Sequence, residues 1–157
     1  MTGTNEDERV SWQKIPTRLG ALHLPAGWSG ETGGEIVTGI PTATRIGTYF
    51  RENVVLSTIE SAGSIVADSA RAILETMSME PWSHVVSVNP WEDGIFQRRM
   101  QFIYEIDSKA VAVTKFTATY GDTRIDLTCS AGFDVYPRLI PVFDGIAVTS
   151  PFEEVVG

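Results

Sequence analysis

Along residues 99–106, apolar or aromatic side chains alternate with side chains that are mostly polar. One set comprises Met100, Phe102, Tyr104 and Ile106, and between them lie Arg99, Gln101, Ile103 and Glu105. This two-residue period is typical of a β-strand with two different faces. A turn at 107–109 leads into residues 110–120, and Gly121-Asp122 reverses the chain into residues 123–130. The pattern therefore predicts three antiparallel strands joined by tight turns.

The last of these strands has two clearly separated faces. Ile125, Leu127 and Cys129 point one way. Arg124, Asp126, Thr128 and Ser130 point the other way. Such alternation predicts one face on the core and one polar face in solvent.

A helical pattern covers residues 64–77. Its apolar residues recur every three or four positions: Val66, Ala70, Ile73, Leu74 and Met77. That spacing predicts one apolar stripe facing the core, with Asp68, Arg71 and Glu75 away from it. Ser64 is a candidate N-cap, and Pro81 prevents any continuation.

The remaining elements are shorter. Further strands are predicted at 19–24, 44–49, 53–59 and 84–88, a glycine-rich loop at 30–34, and a short helix at 134–144 that Pro141 kinks or ends. Residues 1–11 are expected to form a mobile N-terminal tail, and residues 12–157 a single domain. The order of elements predicts an α+β fold with a largely antiparallel sheet.

Composition narrows the class of protein. The chain has 157 residues, 43% of them hydrophobic and 20% charged, which is enough for one sizeable core. A net charge of −8 argues against nucleic acid and anionic membranes, and leaves a basic protein partner open. No apolar run is long enough to span a bilayer, and the N-terminus lacks the apolar segment of a signal peptide. The chain as written is expected to be cytoplasmic, or cell-surface or secreted if a leader was removed.

Candidate catalytic chemistry is sparse. His23 and His84 are the two histidines, and no Gly-x-Ser-x-Gly turn accompanies them. Cys129 is a possible thiolate nucleophile, but its phase with Ile125 and Leu127 favours a core position. No metal-ligand spacing and no phosphate-binding loop is present. We therefore predict no catalytic residue, no cofactor and no metal site.

Three tryptophans allow two interpretations. Trp82 and Trp91 bracket one predicted strand, and Trp28 stands at the exit of another. They either cap the ends of the core or form an aromatic rim that binds a peptide, a lipid or a partner protein.

Several segments resemble those of one known fold family. They are Leu-His-Leu-Pro-Ala-Gly-Trp at 22–28, Arg-Glu-Asn-Val-Val-Leu at 51–56, the helix at 64–77, and Asp134-x-Tyr136-x-x-Leu139-x-Pro141-x-Phe143-Asp144. Together they resemble the Mog/PsbP-like fold, in particular its bacterial branch of LpqN-type lipoproteins. The resemblance implies an αβα sandwich with a central, largely antiparallel β-sheet, in proteins that are typically not enzymes and bind other proteins. It carries over no individual site residue.

The leading functional hypothesis is a non-catalytic protein-binding or chaperone-like module. A small apolar ligand or lipid carrier is the alternative, suggested by the tryptophans and by the aromatic residues Phe102 and Tyr104. An unrecognised enzyme is a third possibility, since a fold alone does not determine function.

Overall fold

The predicted three-stranded meander is part of a seven-stranded sheet and runs from its middle strand toward one edge. A computed structural model describes residues 11–33, 36–42, 49–150 and 152. The strands there are β1 (Trp12–Thr17), β2 (Gly20–Pro25), β3 (Trp28–Gly33), β4 (Ile36–Pro41), β5 (Asn53–Glu60), β6 (Ser83–Pro90), β7 (Arg98–Ile106), β8 (Lys109–Tyr120) and β9 (Thr123–Gly132). The helices are α1 (Ile65–Met77) and α2 (Tyr136–Thr149).

Seven strands form one antiparallel sheet in the order β3-β4-β5-β9-β8-β7-β6, and β1 pairs with β2 in a separate hairpin. Helix α1 packs on β6, β7 and β8, whereas α2 packs on β8, β9 and the hairpin strand β2. The protein is thus an α+β sandwich with the sheet between two helices, as predicted.

The main core lies between the sheet and the layer formed by α2 and the hairpin. Its fully buried side chains include Leu22, Val54, Phe116, Leu127, Phe143 and Ile146. The hairpin approaches the sheet closely at Gly39, where a Cβ atom would lie 2.8 Å from both Leu24 methyl groups and 2.9 Å from Val54 Cγ2. Glycine at this position lets the two layers meet.

The opposite face of the sheet is only partly apolar. Under α1, a small cluster contains Ala72, Met100, Phe102, Val111 and Val113. On β9, however, Arg124 is 1% exposed and Asp126 is 6% exposed. The prediction that this face of β9 lies in solvent is therefore wrong, because Glu75 of α1 covers and binds Arg124.

Helix α1 has its predicted position but a different orientation. Ser64 caps it, accepting a hydrogen bond from the Ala67 N–H at 3.1 Å. The residues buried against the sheet are Asp68, Ala72 and Thr76. Of the predicted core stripe, Ile73 is half-buried and packs against the small cluster, as predicted. The other four members face outward: Ala70 is exposed, and Val66, Leu74 and Met77 are 67%, 62% and 65% exposed. The expectation that Asp68 lies away from the core is wrong as well.

Two local predictions also fail. The predicted loop at 30–34 is strand β3 as far as Gly33, and it pairs with β4. A Cβ atom on Gly30 would lie 2.8 Å from Ile15 Cγ2, so close packing on the hairpin explains the glycine there. Helix α2 does not end at Pro141 but continues to Thr149. Pro141 lies on the exposed side of the helix, where solvent can reach the carbonyl group that lacks a partner.

Some predicted segments fall outside the described residues. These are the tail at 1–10 and residues 44–48 of the strand predicted at 44–49.

Candidate functional site

The cysteine considered as a nucleophile belongs to the core. Cys129 on β9 is 0% exposed, among the side chains beneath α2. Burial, together with the nearby Asp144 charge, raises the pKa of its thiol well above the ordinary value. The predicted inward phase is confirmed, and the thiolate that nucleophilic chemistry requires is disfavoured.

Native Cys129 is expected to react with a soluble thiol reagent orders of magnitude more slowly than the same residue in denaturant. The reason is that the reagent must wait for an opening of the central sheet. Stopped-flow or spectrophotometric thiol assays with and without guanidinium measure the two rates. Equal rates would contradict the core position.

The two histidines lie in different sheets. His23 is on β2, with its ring stacked on Trp12 at a centroid distance of 6.3 Å. Both ring nitrogens are buried without a hydrogen-bond partner in the described part of the chain, and burial, reinforced by Lys14, lowers the pKa of His23. His84 is exposed on β6. No group of three or more potential metal ligands occurs among the described residues.

The structure does not bring the three singled-out tryptophans together. Trp28 begins β3, at one edge of the seven-stranded sheet, and packs against the main core. Trp91 follows β6 at the opposite edge, and its ring meets Phe116 edge-on at 5.3 Å. Trp82 precedes β6, is 42% exposed, and donates from Nε1 to Glu105 at 3.1 Å.

A cavity of about 240 Å³ lies between the β1–β2 turn and strands β3 to β5. Leu19, Val37 and Leu56 line it together with Thr17 and Thr32. This volume is below the range of roughly 300–1,000 Å³ that is usual for small-molecule sites. Neither Phe102 nor Tyr104, which suggested a lipid carrier, lines it. The carrier alternative therefore gains no support from this cavity.

The most distinctive surface is the outer face of α1. We call Val66, Ala70, Leu74 and Met77 the outer stripe. Their spacing of four, four and three residues places them on one side of the helix, and each is exposed. A surface helix ordinarily turns such a stripe toward the core.

Ionic bonds to a buried arginine join α1 to the sheet from beneath. The Arg124 guanidinium donates to both carboxylate oxygens of Glu75, at 3.1 and 3.2 Å. It also contacts both oxygens of Asp126, with Nε at 3.1 Å and Nη2 at 2.9 Å. The Arg124 hydrogen bonds are the largest of the effects that lower the pKa of Glu75. Sheet and helix are thus joined through one guanidinium group.

A second buried carboxylate fixes the start of α1. Asp68 accepts hydrogen bonds from Ser61 Oγ at 2.7 Å, Ala62 N at 2.6 Å and Thr119 Oγ1 at 2.5 Å. Burial alone would raise the pKa of Asp68, but these three hydrogen bonds together with the charge of Arg124 outweigh it and hold the pKa below its ordinary value. The Asp68 side chain therefore ties α1 to β8 and to the loop before the helix.

Sequence reasoning missed this arrangement although one signal was present. Asp68 and Glu75 are seven residues apart, which places two carboxylates on one side of a helix. The polar face of β9 offers Arg124 as the counterpart of Glu75. Buried charges are paired in folded proteins, so opposite charges on the polar sides of two elements are a reason to ask whether those sides meet.

Strand β6 borders the outer stripe at the edge of the sheet. Its pairing with β7 is interrupted between Val85 and Ser87, and the extra residue, Val86, is 56% exposed. The Ser83 hydroxyl donates to the Thr76 carbonyl at 2.5 Å, so the start of β6 lies beside the last turn of α1. The outer stripe and the β6 edge are therefore neighbours.

Comparison with solved structures identifies the fold. Cyanobacterial PsbP (CyanoP) from Synechocystis is 12% identical, with 94% of this chain and 95% of that chain covered and a TM-score of 0.65. LpqN of Mycobacterium tuberculosis, described as involved in cell envelope biogenesis, is 13% identical, with 90% of each chain covered and a TM-score of 0.62. The Saccharomyces cerevisiae Ran-binding protein Mog1p is 8% identical, with 86% and 85% covered and a TM-score of 0.60. The chain has the Mog/PsbP-like fold, and an LpqN-type protein is among its structural neighbours.

Sequence comparisons add no family. No protein-family model matches the chain, and no curated protein matches its sequence. In the described residues, no helix has the length and apolar character needed to cross a membrane.

Proposed function

We propose that this protein is a non-catalytic module that binds another protein through the outer stripe of α1. One observation carries the proposal: α1 turns its apolar side to solvent while its inner side makes ionic and hydrogen bonds with the sheet. Exposed single apolar residues are common, but a row of them on one helix face is typical of an interaction site.

The stripe offers enough surface to matter energetically. Val66, Leu74 and Met77 are each more than 60% exposed. Fully burying one such side chain contributes about 1.5–3 kcal/mol, and a few such residues dominate most protein interfaces. The stripe therefore provides the apolar centre that a specific contact needs.

The fold is compatible with this role. Mog1p, a structural neighbour, is described as a Ran-binding protein. At 8% identity the likeness extends to the fold, so the partner of this chain is a separate question. The comparison supports protein binding in general and leaves the partner to be identified by chemistry. A chaperone-like role is the same contact made with an incompletely folded client.

The aromatic rim of Trp28, Trp82 and Trp91 stays a prediction. In this proposal only Trp82 belongs to the binding surface, because it is exposed and follows the last turn of α1 by five residues. Trp28 and Trp91 pack against the core.

Affinity capture with a matched pair of variants tests the proposal. Leu74→Lys places a charge in the stripe, whereas Val148→Lys places the same charge at a residue of α2 that is 41% exposed. We expect the wild type and Val148→Lys to retain the same saturable partner, and Leu74→Lys to lose it. Circular dichroism and thermal melts establish that both variants are folded. Retention of the partner by folded Leu74→Lys would refute the assignment of this surface.

A further inference from the structure

We infer that the occupant of the outer stripe is an amphipathic helix of another protein, with lysine or arginine at the end that lies over the C-terminal turn of α1. The inference rests on the proposed function and deepens it by naming the chemistry of the partner. Three features of α1 lead to it: the period of the stripe, the size of its residues, and the charge at its C-terminal end.

The outer stripe is a narrow row along one side of α1, and such a row is a surface along which a second helix can pack. Its members recur at four, four and three residues, so the row runs close to the direction of the helix axis, and a partner helix packed on it would cross α1 at a shallow angle. From Val66 to Met77 the stripe extends for about 16 Å, at 1.5 Å per residue, which three to four turns of a partner helix would cover. Ala70 lies between the larger Val66 and Leu74, so it leaves space for one bulky side chain of the partner.

The two ends of α1 differ in charge. Toward the N-terminus, Asp68 is buried and hydrogen-bonded, and the exposed charge is the cation Arg71. At the C-terminus, the last turn contains no basic residue, and the exposed Glu80 follows shortly after. The carbonyl end of a helix carries a partial negative charge. Arg124 offsets the charge of Glu75, so Glu80 and the carbonyl end are the negative groups at this end that are left for a cation of the partner.

A second copy of this chain fits these features less well. In an antiparallel α1–α1 pair, residues 63–66 of one copy would lie over the C-terminal turn of the other. These residues are Gly, Ser, Ile and Val, and they supply no cation. A parallel pair would bring two such negative ends together. The net charge of −8 on each copy adds repulsion.

Synthetic helical peptides provide the probe. Two stapled peptides of about 16 residues have leucines at the stripe spacing. One carries three lysines at its N-terminal end, and the other carries them at its C-terminal end. Matched peptides carry glutamine in place of lysine. Fluorescence anisotropy is measured for the wild type, Leu74→Lys, Glu80→Lys and Glu31→Lys, where Glu31 is exposed on β3 at the far edge of the sheet.

One lysine peptide is expected to bind the wild type about tenfold more tightly than its glutamine match. Glu80→Lys should remove that advantage, Glu31→Lys should retain most of it, and Leu74→Lys should abolish binding. The inference is overturned if lysine and glutamine peptides bind equally, if Glu31→Lys weakens binding as much as Glu80→Lys, or if the stripe forms a dimer that Leu74→Lys dissociates. If this inference fails but capture of the partner still depends on Leu74, the proposed function stands.

Discussion

Replacing Arg124 by alanine is expected to lower the free energy of unfolding by about 3–5 kcal/mol, because removing one member of a buried ionic group leaves the other charges uncompensated. Arg124 is 1% exposed, and it bonds Glu75 and Asp126 together. Of the two carboxylates, Asp126 would be destabilised more by the loss of Arg124, because its side chain is only 8% exposed. The side chain of Glu75 is 52% exposed and can turn to water. Lys115 Nζ, at 3.8 Å from Asp126, provides partial compensation.

Urea unfolding followed by circular dichroism measures this loss. Arg138→Ala is the matched control, since Arg138 is exposed on α2 and its removal should change stability by less than about 0.5 kcal/mol. A loss below about 1 kcal/mol for Arg124→Ala would mean that the ionic bonds beneath α1 contribute little to stability.

Replacing Asp68 by asparagine is expected to cost about 1–3 kcal/mol at neutral pH and to reduce the loss of stability in acid. Asp68 accepts three hydrogen bonds in the native state, and together with the charge of Arg124 they hold its native pKa below the value in the unfolded chain. The native carboxyl is therefore the stronger acid. Its contribution is fully present above the unfolded pKa and is lost as the pH falls through the lower native pKa, because the unfolded state takes up the proton first.

Urea midpoints measured from pH 7 down to pH 3 reveal this dependence. The difference between wild type and Asp68→Asn should be largest at neutral pH and should shrink in acid. Asp134→Asn, at an exposed carboxylate before α2, is the control and should leave the wild-type pH dependence in place. A constant difference between wild type and Asp68→Asn at every pH would contradict a depressed native pKa.

The sheet was predictable because its signals are local. The alternation from Met100 to Ile106 and the turn at Gly121 specify strand, reversal and pairing within about thirty residues. The structure has the predicted partners, with β7 on β8 and β8 on β9. Local patterning and tertiary structure agree in this part of the chain.

The orientation of α1 was not predictable from the helix alone. Its apolar stripe gives the correct element but the wrong buried side, because hydrophobic periodicity assumes an apolar surface beneath the helix. Here the surface beneath includes Arg124, which binds both Glu75 and Asp126 and excludes a purely apolar contact. The candidate site thus depends on the relation between two distant segments, and neither contains that information by itself.

The remaining failures have equally specific causes. Gly30 was interpreted as a loop residue, but the close approach of Ile15 requires a residue without a side chain inside strand β3. The pattern predicts that Pro141 kinks or ends α2, and the helix does not end there, because Pro141 lies on the exposed side of α2, where the missing hydrogen bond is tolerated. In both cases the tertiary surroundings of the residue, and not its own conformational preference, decide whether the strand or helix continues through it.

The irregularity in β6 affects how the protein can assemble. An exposed edge strand normally invites strands of other molecules to join the sheet, which leads to open-ended polymers. In β6 the extra residue at Val86 disturbs the row of backbone donors and acceptors, and Pro90 at the end of the strand lacks an N–H group. Growth of the sheet across this edge is therefore discouraged. In the proposed mode of binding, a partner would contact the side chains of α1 beside this edge and would add no strand to the sheet.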